Sequence, residues 1–178
     1  MKLSLLCAPL ILAGVALSQT KPKDFDGWGK VKWGMTVRQA KAALAPDARE
    51  SDGKSGRSTK YVDRLVIDKL KVGGTEMMVT IDTLPGSDKV KQVAFRLPDG
   101  VNTTNGAAFE DLRNALTQKY GKPTRQESNE ANKITTDSVT WVFPSTVIDL
   151  TWIRAKDIGF EILNLLYEAT DKKALDVL

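Results

Sequence analysis

Two segments that read as capped helices, each followed by runs of alternating polar and apolar residues, constrain this chain more than any other feature. Thr36-Val37-Arg38-Gln39 has the form of a capping box, in which the threonine oxygen accepts a backbone N–H and the glutamine reaches back. Val37, Ala40, Ala43 and Leu44 then share one helical face, and Pro46 ends the run. The second segment follows Thr104-Asn105 and places Phe109, Leu112, Ala115, Leu116 and Tyr120 at helical spacing. It closes on Tyr120-Gly121-Lys122-Pro123, where glycine supplies the left-handed cap and proline bars continuation. Val37, Ala40, Ala43 and Leu44 align with Phe109, Leu112, Ala115 and Leu116 at a constant offset of 72 residues. The match points to a doubled plan, although helical periodicity alone produces the same coincidence.

Strand-like segments follow each helix. The first set is Arg64 to Leu70, Glu76 to Asp82 and Val90 to Leu97, with turns at Gly73-Gly74 and Pro85-Gly86-Ser87-Asp88. Met77, Val79 and Ile81 alternate with Glu76, Met78, Thr80 and Asp82, the pattern of a sheet with one buried face. The second set is Ser138 to Phe143, Val147 to Ile153 and Phe160 to Tyr167, the last apolar on both faces and so expected at the centre of a sheet. Pro46 to Lys60 and Gln126 to Thr135 are polar and fit no element, while Thr170 to Leu178 fits a short amphipathic helix. The expected fold is α+β: two tandem helix-plus-three-stranded antiparallel sheet units, with the helices packed on one sheet face. Residues 19–100 form the first unit and 101–178 the second.

The first 18 residues read as a secretory signal peptide. Lys2 precedes an apolar run from Leu3 to Leu17, and Ala16-Leu17-Ser18 supplies small residues for cleavage. A run of about 15 residues is shorter than the roughly 20 needed to span a bilayer. Cleavage after Ser18 of the 178 residues leaves 160, suited to one domain or two small units sharing a core. The expected location is the periplasm or outside the cell, with no transmembrane segment in the mature chain.

Cys7, the only cysteine, leaves with that signal, and the chain has no histidine. The mature domain therefore has no disulfide, and Cys/His zinc sites, Ser-His-Asp or Cys-His nucleophiles and imidazole bases are excluded. Loss of Lys2 lowers the formal charge from +4 to +3, too little to indicate a nucleic-acid partner. No cofactor and no metal are expected.

Several short motifs have ordinary explanations. Gly53-Lys54-Ser55 resembles the end of a phosphate loop, but Ala48 stands where that loop needs glycine. Ser51-Asp52-Gly53-Lys54 matches Ser-x-x-Lys only in letters, because that serine should open a helix. Asp24-Phe25-Asp26-Gly27 starts like a calcium loop and lacks its later acidic ligands. Carboxylates remain as catalytic groups. Asp82 and Asp149 both fall on the less buried side of their strands, where paired acids would serve glycoside chemistry if they met. Trp141 and Trp152 alternate with apolar neighbours as core residues do. Trp28 and Trp33, set among glycines and lysines, read as a plug at the end of the core or as a partner-contacting strip.

Trp33-Gly34-Met35-Thr36-Val37-Arg38-Gln39-Ala40 resembles the Gly-Met-Thr-x-x-Gln-Val helix start of small SmpA/OmlA-type (BamE-like) envelope lipoproteins, which support the outer-membrane β-barrel assembly machine. Those proteins close this helix with Gly-x-Pro, where Ala45-Pro46 stands here. The doubled plan is also similar to the tandem-repeat β-lactamase-inhibitory protein fold, whose two helix-plus-sheet repeats form a concave protein-binding surface. Both resemblances imply protein binding.

The expected function is an exported, soluble binding module that recognises another envelope protein and is not an enzyme. The alternatives are a carboxylate-based periplasmic hydrolase and a carrier of an apolar ligand. The expected partner-binding surface comprises Glu76, Thr80, Asp82, Asp149 and Thr151, which alternation leaves outside the core, with Trp28 and Trp33 beside them. No catalytic residue is assigned.

Overall fold

Period-two patterning dominates the computed structural model, which describes residues 24–53, 60–98 and 105–170. A two-residue hairpin, β1 (Gly27–Trp28) with β2 (Val31–Lys32), precedes helix α1 (Val37–Leu44). Then come β3 (Arg49–Glu50), β4 (Val62–Val72), β5 (Thr75–Thr83) and β6 (Val90–Arg96). Helix α2 (Asn105–Tyr120) leads into β7 (Arg125–Ala131), β8 (Ile134–Val142), β9 (Thr146–Ala155) and β10 (Phe160–Ala169). The expected signal peptide, Lys54-Ser55 of the loop motif and all of the expected C-terminal helix beyond Thr170 lie outside the described residues.

The helix signals hold in detail. Thr36 Oγ1 accepts from the Gln39 N–H at 3.2 Å, and the Gln39 side chain accepts from the Thr36 N–H at 2.9 Å. Gly121 follows α2 at φ +84°, the left-handed conformation that glycine adopts without a Cβ penalty. Its carbonyl accepts from Trp141 Nε1 at 2.9 Å, which ties the end of the helix to β8.

The expectation of two helix-plus-three-stranded units is overturned. Strands β3 to β10 form one antiparallel sheet of eight, in the order β3-β4-β5-β6-β10-β9-β8-β7. Each half contributes four strands, and β6 pairs with β10 from Gln92↔Glu168 to Arg96↔Asn164. The physical reason is the edge: two separate meanders would leave β6 and β10, both lined with buried apolar side chains, with unpaired backbone groups. Joining them places β10 at the centre. The fourth strands come from stretches that looked like loops. Every residue of β7 is exposed, so it carries no alternation, and it turns into β8 through Asn132 and Lys133 at positive φ, a two-residue hairpin turn.

One face of this sheet holds a single apolar cluster. Leu65, Ile67, Met77, Val79, Ile81, Val93 and Phe95 line it from the first half. Val139, Trp141, Ile148, Leu150, Leu163, Leu165 and Tyr167 continue it in the second. Ala40 of α1 and Phe109, Leu112 and Leu116 of α2 join the same cluster, so both helices cover this face. No described helix is long and apolar enough to cross a membrane. Among the described residues, no helix packs on the opposite face.

Candidate functional site

Residues that alternate with the core cluster point to the helix-free face. Register sets them in rows across the strands: Asp63, Asp82, Gln92 and Glu168 form one row. Thr80, Ala94, Leu166 and Asp149 form the next. Arg96 lies opposite Met78 and Asn164, one row further on.

These residues are not wet. Thr80 is 1 % exposed, Asp82 2 % and Arg96 9 %. Asp82 and Thr80 were expected outside the core on an open surface, and their burial corrects that reading. Part of the cause is the chain leading into β4. Tyr61 Oη donates to Glu168 Oε1 at 2.5 Å, and Lys60 Nζ pairs with the same oxygen at 2.6 Å. Three strand spacings of about 4.8 Å separate β4 from β10. The two side chains meet only because this chain leans over the face. They roof a cavity of about 620 Å³ lined by Asp63, Thr80, Asp82, Gln92 and Arg96 on one side and by Ile162, Leu166 and Glu168 on the other. Ligand sites commonly have this size.

The electrostatics single out Asp82. Arg96 Nη2 reaches Asp63 Oδ2 at 3.2 Å, an ion pair with both side chains nearly buried. Glu168 is matched with Lys60. Asp82 faces Asp63 directly across β4–β5, at about 5 Å between Cβ atoms, without an ion pair among the described residues. Burial pushes its carboxyl up to about 7; the Asp63 charge adds to the effect, while the neighbouring Thr80 hydroxyl and then Arg96 oppose it. Burial also raises the Tyr61 phenol to about 12, reinforced by its bond to Glu168. The Lys60 ammonium is held above its ordinary range, first by its hydrogen bond to Glu168.

Three polar atoms here are buried without a hydrogen-bond partner among the described residues: Thr80 Oγ1, Asp82 Oδ1 and Arg96 Nε. An unmade bond of this kind costs about 1–3 kcal/mol, more for charged groups, so a cluster of three marks a place built for something other than stability. A hydroxyl, a carboxyl oxygen and a guanidinium N–H together offer both donors and acceptors.

Of the residues expected at the partner surface, the structure brings together only Thr80 and Asp82. Glu76 is exposed at the far end of β5, 3.3 Å from Lys69. Asp149 accepts from Thr140 Oγ1 at 2.7 Å and lies three strands from β5, about 14 Å, too far to act with Asp82 as a carboxylate pair. Thr151 sits in the row of Arg96 and Asn164. Trp28 packs edge-on against Phe95 at 5.2 Å, and Trp33 Nε1 donates to Thr146 Oγ1 at 2.9 Å. Both indoles lie against the core cluster. The acids of the calcium-like run are engaged separately, Asp24 by Ser145 and Asp26 by Lys32.

Sequence reasoning missed Asp63, Gln92, Arg96, Glu168 and Tyr61. Gln92, Arg96 and Glu168 had a usable signal, since Gln92 and Arg96 alternate with Val93 and Phe95, and Glu168 follows Tyr167; Asp63 had none, because it shares the parity of Leu65 and Ile67 and only the register shift between Asp63 and Leu65 turns it to this face. Tyr61 had none.

A second hollow of about 450 Å³ lies between α2 and β7–β9. Its charges are spent internally: Arg154 stacks on Trp152 at 3.8 Å and pairs with Asp137 at 2.7 Å, and Arg113 pairs with Glu110. The cavity over Asp82 is therefore the candidate site. No protein-family model, curated protein or solved structure matches this chain, so the geometry of that cavity carries the functional argument.

Proposed function

We propose that this chain is a binding module that recognises another protein through the helix-free face of its sheet, taking a polar group of that partner into the cavity over Asp82. One observation carries the reading: Thr80 Oγ1, Asp82 Oδ1 and Arg96 Nε, from residues that line one ligand-sized cavity, are buried without a well-formed hydrogen bond among the described residues. A folded chain gains nothing from this arrangement by itself, and a ligand that completes the three bonds recovers their cost. The resemblance of Trp33 to Ala40 to envelope proteins supports a partner in the cell envelope, and the apolar run from Leu3 to Leu17 supports export to meet it.

Photocrosslinking from two positions tests the proposal. A photoreactive residue replacing Leu166, on the cavity wall, should capture a discrete envelope protein, and one replacing exposed Gln118 on α2 should not. Asp82→Ala should abolish the Leu166 crosslink. Equal capture from both positions would place the interface elsewhere.

A hydrolase reading draws on Asp63 and Asp82 facing each other, one paired with Arg96 and the other not. It requires turnover that Asp82→Asn abolishes, and stoichiometric binding without product would reject it.

A further inference from the structure

We infer that the cavity over Asp82 takes a cationic group, an ammonium or guanidinium at the end of an aliphatic stem, held by the oxygens of Asp82, Gln92 and Glu168. The inference rests on the binding reading above and names the ligand class.

Charge matching comes first. Among the described residues, the titratable groups facing Asp82 are Asp63 and Lys60 from the β4 side, Arg96 from β6 and Glu168 from β10, with Tyr61 above. Arg96 is matched by Asp63, and Lys60 by Glu168. Among the described residues Asp82 is the remaining carboxyl, so its ionisation leaves one negative charge in a site where burial makes that costly. The protein meets that cost by keeping the proton to about pH 7. A cation meets it by supplying the missing charge. An anion would instead face Asp63, Asp82 and Glu168 together.

Shape and hydrogen bonding agree. Asp82, Gln92 and Glu168 are consecutive in one row across β5, β6 and β10, a line of oxygens spanning about 10 Å. Ala94 and Leu166 fill the adjacent row, and Ile162 lies further along β10. A lysine or arginine side chain has the matching division, with methylenes for the apolar rows and a donor head for the oxygens. Tyr61 contributes a ring that already holds one ammonium, Lys60 Nζ at 4.9 Å from its centroid. Arg96 Nε, a donor without a partner among the described residues, suits a backbone carbonyl of the ligand.

The test uses the full chain and two probes, Nα-acetyl-L-arginine methylamide and its neutral isostere Nα-acetyl-L-citrulline methylamide, titrated by NMR at pH 6 and pH 8. The carboxyl carbon of Asp82 reports its own ionisation. The arginine probe should bind about tenfold tighter at pH 8 than at pH 6, following the ionised fraction of a group with a pKa of about 7. It should also shift the Asp82 titration to lower pH. Asp82→Asn, its fold confirmed by circular dichroism, should weaken binding and erase the pH dependence. Glu168→Gln should weaken the arginine probe and keep that dependence.

Citrulline binding as tightly as arginine, with affinity falling above pH 7, would overturn the inference and leave the binding module standing. Failure of both probes with the Leu166 crosslink intact would do the same. Failure of both probes and of the crosslink would overturn both readings.

Discussion

The two faces of the central sheet are made by the same strands yet obey different rules. On the helix-covered face, Phe95 of β6 belongs to the apolar cluster and packs on Trp28 at 5.2 Å and Tyr167 at 5.7 Å. On the other face of that strand, Gln92 and Arg96 sit over a cavity whose polar atoms are only partly matched. Over β5 and β6 both faces are buried. The first is buried by surplus apolar contact, and the second by a leaning chain and two ion pairs. Burial alone therefore does not mark a core; the state of the polar atoms does.

The largest expected effect belongs to the covered face. Phe95→Ala empties a site that is 1 % exposed and should cost about 4 kcal/mol in urea unfolding. A loss below about 1 kcal/mol would mean that the two faces share the load and that the contrast is false.

Next in size is a pH effect confined to the open face. Folded, Asp82 keeps its proton up to about pH 7, against an ordinary value of 3.8. Between those values the folded state holds more protons than the unfolded one, so stability falls as pH rises, by as much as about 4 kcal/mol, and is level above pH 7. Asp82→Asn removes this slope. The stability of wild type relative to the variant should therefore be greatest near pH 4 and least near pH 8. A difference independent of pH would mean that the carboxyl is hydrated and the two faces differ less than described.

A smaller effect tests how the covered face is held. Gly121→Ala meets no atom within 4 Å, so only the φ of +84° opposes it, and it should cost about 1 kcal/mol. Thr80→Val should have the least effect, within about 0.5 kcal/mol of wild type, because the hydroxyl it removes is buried near Asp82 without a well-formed hydrogen bond. Partner capture should nonetheless fall. Marked destabilisation by Thr80→Val would show that the hydroxyl serves the fold.

Local chemistry was legible in the sequence and long-range pairing was not. The capping box at Thr36 and the cap at Gly121 need only neighbours a few residues away, and both are present. The core sides of β5 and β9 follow from alternation. Alternation does not say which strands pair, so the joining of β6 to β10 could not be read. Nor could β7, polar on both faces, or β3, two residues long. At the site, the pattern correctly turned Thr80 and Asp82 away from the core cluster. It misjudged their environment because nothing in period two reveals that Lys60 and Tyr61 cross over to Glu168.

The seam between β6 and β10 also has a consequence for synthesis. Gln92 and Arg96 stand on one side of it, Asn164 and Glu168 on the other, so the cavity is divided between strands about seventy residues apart in the chain. Until the last strand arrives, β6 is a bare apolar edge and the cavity over Asp82 does not exist. A chain released early, or clipped before Phe160, would be doubly compromised: without its cavity and adhesive along the strand that should have been sealed. If the proposed recognition holds, competence to bind would certify complete folding, and a partner that senses the cavity would screen out unfinished copies.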